Sequence, residues 1–277
     1  MPEYERDGVR LAYEERGRTD GTPLVLLHGF TSDRRMWNHV AGFLERDARL
    51  LMPDLRGHGE SDAPEDIESY TMEGYAADVK GLLDHMAIDR CHLVGSSFGG
   101  MVAMEFAVTW PELLATLVLS DTSPAYDRPE YDEEFRERER RIANMVTSIE
   151  KYGPAETGRR AARAESDAFL AEATRRRYAA LNGTGVVGAA NARSKRRDLA
   201  DRLRTLPMPV LLCMGEEDPV RSALPLMARE LPGARRVTFR GTGHGVPARE
   251  PQKFVDTLVA FLDDVTAGKP VGTTVSL

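Results

Sequence analysis

The chain has 277 residues, 42% of them hydrophobic and 29% charged, enough for one large α/β domain with or without an inserted subdomain. Its net charge of −7 argues against nucleic acid or an anionic membrane as partner, and no apolar run approaches the roughly 18 residues of a membrane span. The polar segment 1–10 lacks the apolar core of a signal peptide, so a cytoplasmic location is expected.

In chain order, residues 3–16 alternate around Asp7-Gly8, a hairpin turn signal. The run Leu24-Val25-Leu26-Leu27 is continuously apolar, as in a strand covered on both faces. A helix is predicted at 36–45 and a strand at 50–53, followed by the glycine-rich loop 54–62. Apolar residues at helical spacing (Tyr75, Val79, Leu82, Leu83, Met86) predict a helix over 72–87. Strands at 91–94 and 117–119 bracket a helix-forming run, 101–109. Strand alternating with helix predicts a parallel sheet with right-handed crossovers. From 122 to 205 no strand-like run occurs; helical stretches near 130–151 and 155–181 carry many arginines and glutamates. This segment holds 18 Lys+Arg against 14 Asp+Glu, a net of +4 that leaves −11 for the remainder. Alternation resumes with strands at 209–215 and 235–240 and helices at 222–231 and 251–264. The expected organisation is a core of 1–121 and 206–267, a helical cap at 122–205, and a flexible tail at 268–277 without periodicity.

Within this frame, Gly95-Ser96-Ser97-Phe98-Gly99 places a serine in G-x-S-x-G between a strand and a helix. A serine hydroxyl becomes a nucleophile when a sharp turn presents it and a base removes its proton. The glycines let strand and helix approach each other there, and the first turn of the helix aims free N–H groups at the same point. His244, in a glycine-rich loop directly after the last strand, is the best base. His39 and His85 are on predicted helices, His92 is inside a strand, and His58 lies in the 54–62 loop. His28 precedes Gly29 and is expected to shape a backbone turn. Asp218, after the penultimate strand, is the preferred acid to orient the imidazole, with Asp121 as its rival. The backbone N–H groups of Phe98 and Phe30 are the expected oxyanion donors, each worth about 3 kcal/mol.

Other residues are read as structural. Cys91 and Cys213 lie in strands expected to be two spacings apart, roughly 9–10 Å, beyond the ~7 Å a disulfide spans. The six histidines are scattered and no Cys-x-x-Cys or His-Glu-x-x-His occurs, so no metal or other cofactor is expected. Trp37 and Trp110 are assigned to packing. The run 136–141 is read as a solvated helix face with mixed-sign pairs, and Arg193 as a surface residue. The alternative is that a net-positive cap attracts an anionic substrate, with Arg193 binding its carboxylate.

Over about residues 20–265 the chain resembles the α/β-hydrolase family, on His28-Gly29-Phe30, Asp54 to Ser61, Gly95 to Gly100, Gly215 to Asp218 and Gly243-His244. The resemblance implies a mostly parallel eight-stranded sheet flanked by helices, with an inserted helical cap. The run from Met101 to Ser123 is similar to small carboxylesterases and 3-oxoadipate enol-lactonases. Serine at 97 departs from the dehalogenases and epoxide hydrolases of the family, which use aspartate there. The expected function is a serine hydrolase of a small ester or lactone, cofactor-free and compatible with a homodimer. The rivals are a C–C bond hydrolase of a ring-fission diketone, a perhydrolase or acyltransferase and, in a different class, a small-ligand receptor.

Overall fold

The computed structural model describes residues 1–277. β1 (Glu3–Arg6) and β2 (Val9–Gly17) form the expected hairpin, and both turn residues have positive φ, 51° at Asp7 and 75° at Gly8. That conformation suits a two-residue turn between twisted strands. β3 (Leu24–Leu27) is buried throughout. A 3₁₀ turn at Arg34–Trp37, capped by Asp33, leads into α1 (Asn38–Leu44). There follow β4 (Arg49–Pro53), α2 (Met72–His85), β5 (Cys91–Ser96), α3 (Phe98–Thr109) and β6 (Leu114–Ser120), all within a few residues of expectation.

The segment after β6 is helical, as read. α4 (Glu133–Ala162) breaks at Gly153, where φ is 78° and Pro154 follows. α5 (Ala168–Ala179) starts at an Asp167 cap, so the stretch expected over 155–181 is divided. α6 (Gly183–Ser194) is a helix that the sequence pattern does not announce, because Gly183, Gly185 and Gly188 lower its helix propensity. Packing explains the middle one: a Cβ on Gly185 would lie 1.9 Å from the Gly57 carbonyl oxygen, so this contact seats α6 directly on the 54–62 loop. α7 (Ala200–Leu203) returns the chain to the core.

β7 (Val210–Gly215), α8 (Leu224–Glu230), β8 (Arg235–Phe239), α9 (Val246–Arg249) and α10 (Pro251–Thr266) complete the alternation. The tail is not free. β9 (Thr274–Ser276) pairs in parallel with β8, Val237 opposite Val275, so the sheet has nine strands rather than eight. Three exposed residues carry no readable period; the unpaired edge of β8 orders them. The sheet order is β1-β2-β4-β3-β5-β6-β7-β8-β9, parallel from β4 onward. Alternate side chains of the parallel strands enter two cores. Val25, Leu27, Leu93 and Leu117 meet α2 and α3 on one face; Leu24, Leu26, Val94 and Val118 meet α1 and α10 on the other. Trp37 is buried against Phe254, and Trp110 packs on Phe106, both as packing residues. β6 separates the strands of Cys91 and Cys213, and both thiols are free and buried.

Candidate active site

The turn between β5 and α3 is strained at one residue. Ser97 has φ 54° and ψ −112°, a conformation that costs a non-glycine residue about 1–3 kcal/mol and persists only when its surroundings dictate it. Here they do. The Ser97 N–H donates to the Ser120 carbonyl (2.8 Å), and Thr122 Oγ1 donates to the Ser97 carbonyl (2.8 Å). A Cβ on Gly95 would lie 2.3 Å from the Gly99 oxygen, and one on Gly99 would lie 2.3 Å from the Leu27 oxygen. The two glycines therefore allow strand, helix and the neighbouring β3 to meet at van der Waals limits, as the motif implied.

The loops after β7 and β8 bring Asp218 and His244 to this turn. His244 Nε2 is 2.9 Å from Ser97 Oγ, and His244 Nδ1 is 2.9 and 3.0 Å from the two Asp218 carboxylate oxygens. A carboxylate on Nδ1 assigns the proton to that nitrogen and leaves the Nε2 lone pair facing the hydroxyl. Asp218 is fully buried. Burial pulls its carboxyl upward, but the hydrogen bond and charge of His244 and the Val220 amide (2.8 Å) outweigh that and hold it below the usual carboxylate range. Burial likewise holds His244 below its ordinary value; the Asp218 hydrogen bond opposes this, and the Arg138 charge adds to it.

Asp121, the rival acid, has another place. Its carboxylate accepts from Ser120 Oγ (2.7 Å), Gly215 N–H (3.2 Å) and Val246 N–H (2.8 Å), with no bond to His244. Burial first, then the Asp218 charge beside it, push its carboxyl well above the ordinary range. The two acids thus divide their work: Asp218 stays ionised, while Asp121 ties the β7 and β8 loops together.

The other histidines do not converge on Ser97. His28 Nε2 accepts the Leu55 N–H (2.9 Å) and its Nδ1 donates to Gly29 O (2.9 Å); burial lowers its pKa to about 4, so the ring is neutral. His58 is buried against it, with ring centroids 5.1 Å apart and a pKa lowered to about 3 by burial and then by His28. Both fix the 54–62 loop, as does Asp54, which accepts from the Arg34 (2.7 Å) and Glu60 (2.9 Å) amides. The Phe30 N–H has no acceptor in the protein. Phe98 is the first residue of α3, where an N–H has no partner within the helix. Phe30 and Ser97 line the same cavity, and Gly29 lies against the Ser97 side chain.

A cavity of about 530 Å³ opens over Ser97 and His244, walled on the far side by α4 and α5. Here the structure corrects two readings. The run 136–141 is not a wholly solvated face: Arg138 is largely buried and its Nη2 lies 3.0 Å from His244 Nε2, while Glu139 is buried beside it. Arg193 is 3% exposed, not a surface residue, and the carboxylate it binds is the protein's own Glu139. Arg141 and Arg177 also line the cavity, and neither pairs with a carboxylate. A signal for this was present. Phe135, Ile142, Met145 and Ile149 form the inward stripe of α4, and Arg138 and Glu139 interrupt that stripe where apolar residues are expected.

Comparison with known proteins identifies the family and the fold. A profile described as "Alpha/beta hydrolase family" matches residues 24–257, and the chain belongs to that family. It is 29% identical, over 94% of its length and 97% of the relative's, to a putative 2-succinyl-6-hydroxy-2,4-cyclohexadiene-1-carboxylate synthase of Bacillus subtilis (strain 168). Among solved structures it is similar to a thermophilic esterase from Thermogutta terrifontis, with 30% identity, TM-score 0.78, and 95% and 97% of the two chains covered. An enol-lactonase from Burkholderia xenovorans LB400 shares the fold at 23% identity and TM-score 0.80, covering 95% of this chain and all of that one.

Proposed function

We propose that the protein is a serine hydrolase that cleaves a small carboxylic ester or lactone through an acyl-enzyme. The observation that carries this reading is the continuous hydrogen-bonded path from Ser97 Oγ through both nitrogens of His244 to Asp218, with separations of 2.9 Å at each step. As Oγ attacks the substrate carbonyl carbon, its proton passes to Nε2, and Asp218 stabilises the imidazolium. The carbonyl oxygen becomes an oxyanion held by the Phe30 and Phe98 N–H groups. When the tetrahedral intermediate collapses, the C–O bond to the leaving alcohol breaks and the imidazolium supplies the alcohol's proton. Water then repeats the sequence, giving the carboxylic acid and free Ser97. The helical segment 122–205 acts as a cap that encloses the acyl or alcohol part.

The test is multiple-turnover hydrolysis of short p-nitrophenyl esters by the wild type and by Ser97→Ala. Loss of about 10⁵-fold or more in kcat with an unchanged melting temperature is expected. Stoichiometric binding without product release, or full activity in Ser97→Ala, would overturn the reading.

A further inference from the structure

The nitrogen that must take the serine proton already has a second hydrogen-bond donor. Arg138 Nη2 lies 3.0 Å from His244 Nε2 and Ser97 Oγ lies 2.9 Å from the same atom. A neutral imidazole offers one lone pair at that nitrogen, so the guanidinium and the hydroxyl compete for it. The competition worsens during reaction, because proton transfer from Ser97 makes an imidazolium directly against a guanidinium. Like charges at that separation disfavour the step. Asp218 on Nδ1 offsets part of this, but no carboxylate lines the cavity itself, whereas Arg138, Arg141 and Arg177 all do. Behind them, Glu139 is the one carboxylate shared by Arg138 (Nη1, 3.1 Å) and Arg193, with the half-buried Arg196 nearby. The site therefore carries an excess of positive charge with one arginine placed on the base itself.

We infer that the enzyme prefers substrates whose acyl chain or leaving group carries an anionic group, and that this anion draws Arg138 off His244 Nε2. The inference rests on the serine-hydrolase reading above. In the free enzyme Arg138 is a latch: it occupies the base and slows attack by Ser97. A bound carboxylate pairs with the guanidinium by charge-assisted hydrogen bonds, frees the lone pair, and neutralises the charge facing the forming imidazolium. Arg141 and Arg177, exposed at the cavity wall and without carboxylate partners, guide the anion inward. A neutral ester of the same shape reaches Ser97 but leaves the latch closed. Selection is thereby exerted on kcat as well as on binding.

The experiment uses a matched pair: mono-p-nitrophenyl glutarate and its methyl-capped diester. They differ in charge at the far end of one acyl chain. The wild type is expected to show kcat/KM at least about tenfold higher for the anionic ester, a ratio that falls as salt is raised. In Arg138→Met the ratio collapses toward one, and kcat for the neutral ester rises severalfold, a gain that a merely structural arginine would not produce. Arg141→Met, at an exposed position where folding is not at stake, raises KM for the anionic ester only. A wild type that favours the neutral ester overturns the inference, as does a charge ratio unchanged in both variants. If Arg138→Met does not fold, the wild-type ratio and Arg141→Met decide. Failure of the reading beneath has a different signature, no turnover of either ester or full turnover by Ser97→Ala, and it removes this inference as well.

Discussion

In the sheet-bearing core, buried arginines meet carboxylate in at least equal measure: Arg56 closes on both oxygens of Asp78 (2.8 and 2.9 Å), which Arg6 also contacts (2.8 Å), and Arg34 reaches Asp54, Glu60 and Glu14. In the helical segment, Arg138, Arg193 and Arg196 gather round the single carboxylate of Glu139. Burial of its guanidinium and the nearby Arg193 charge lower Arg196 to about 9, whereas Arg56, buried and paired with Asp78, is raised. Balanced pairs fix loops and ask nothing of a ligand. An unbalanced cluster beside a cavity leaves charge that an incoming anion can satisfy. On the reading proposed above, the core supplies the reaction and the segment decides which molecule undergoes it.

The largest expected effect separates the two buried acids of the core. Asp218→Asn leaves the shape of the site but removes the charge that fixes the Nδ1–H tautomer, and should lower kcat/KM by about 10⁴-fold. Asp121→Asn replaces a carboxyl already pushed toward its neutral form, and its carbonyl oxygen can still accept from Gly215 or Val246. The loss there should stay within about tenfold. Ester hydrolysis by the two variants at pH 7.5 measures the contrast (about 4 kcal/mol between them). Equal losses would mean that both acids act on His244, contrary to the geometry.

The core was legible for a physical reason. A parallel strand buried on both faces must be apolar throughout, and a strained serine between strand and helix requires glycines two residues away on each side. Leu24–Leu27 and Gly95 to Gly99 therefore announce themselves without the fold. Asp218 and His244 follow because each sits in a loop at the carboxyl end of a strand. The segment obeys no such rule. Arg138 and Arg136 are alike in composition, and only the turn of α4 sends one to His244 and the other toward solvent, with a 3.0 Å bond to the Arg128 carbonyl. Two of the glycines that make α6 look like a loop, Gly185 and Gly188, are those that seat it on Gly57 and Tyr70. In both places the decisive partner is more than a hundred residues away in the chain, which spacing cannot reveal.

A second, smaller effect tests the charge cluster of the segment. Glu139→Gln would leave Arg193 buried without its carboxylate, a change that costs about 3–5 kcal/mol when one partner of a buried pair is removed. The damage should be local: urea unfolding shifts to lower midpoint, and limited proteolysis cuts first within 133–194 while the sheet stays intact. Unchanged stability and cleavage would show that the arginines are neutralised by something other than Glu139, and the contrast with the core would dissolve.

The smallest effect is on the acid limb of activity, and its sign follows from which charges face the base. In the proposed mechanism attack by Ser97 needs neutral His244, so kcat/KM is expected to fall as pH drops through the imidazole pKa. Burial, Arg138 and Arg193 lower that pKa, whereas Asp218 raises it; the balance lies below the ordinary 6.5. Ser97 contributes no charge, and Asp121 is pushed toward its neutral form. The wild-type limb should therefore lie below pH 6.5. Arg138→Met removes one of the lowering charges while burial and Arg193 remain, so the limb moves upward by about half a pH unit, equivalent to about 0.7 kcal/mol. A neutral ester is used so that no ionisation of the substrate enters the profile, and kcat/KM then reports the imidazole of the free enzyme. A limb that stays put would mean Arg138 does not sense the charge on His244 in solution. A limb that moves to lower pH would mean the arginine stabilises the imidazolium through an intervening anion already present in the free enzyme.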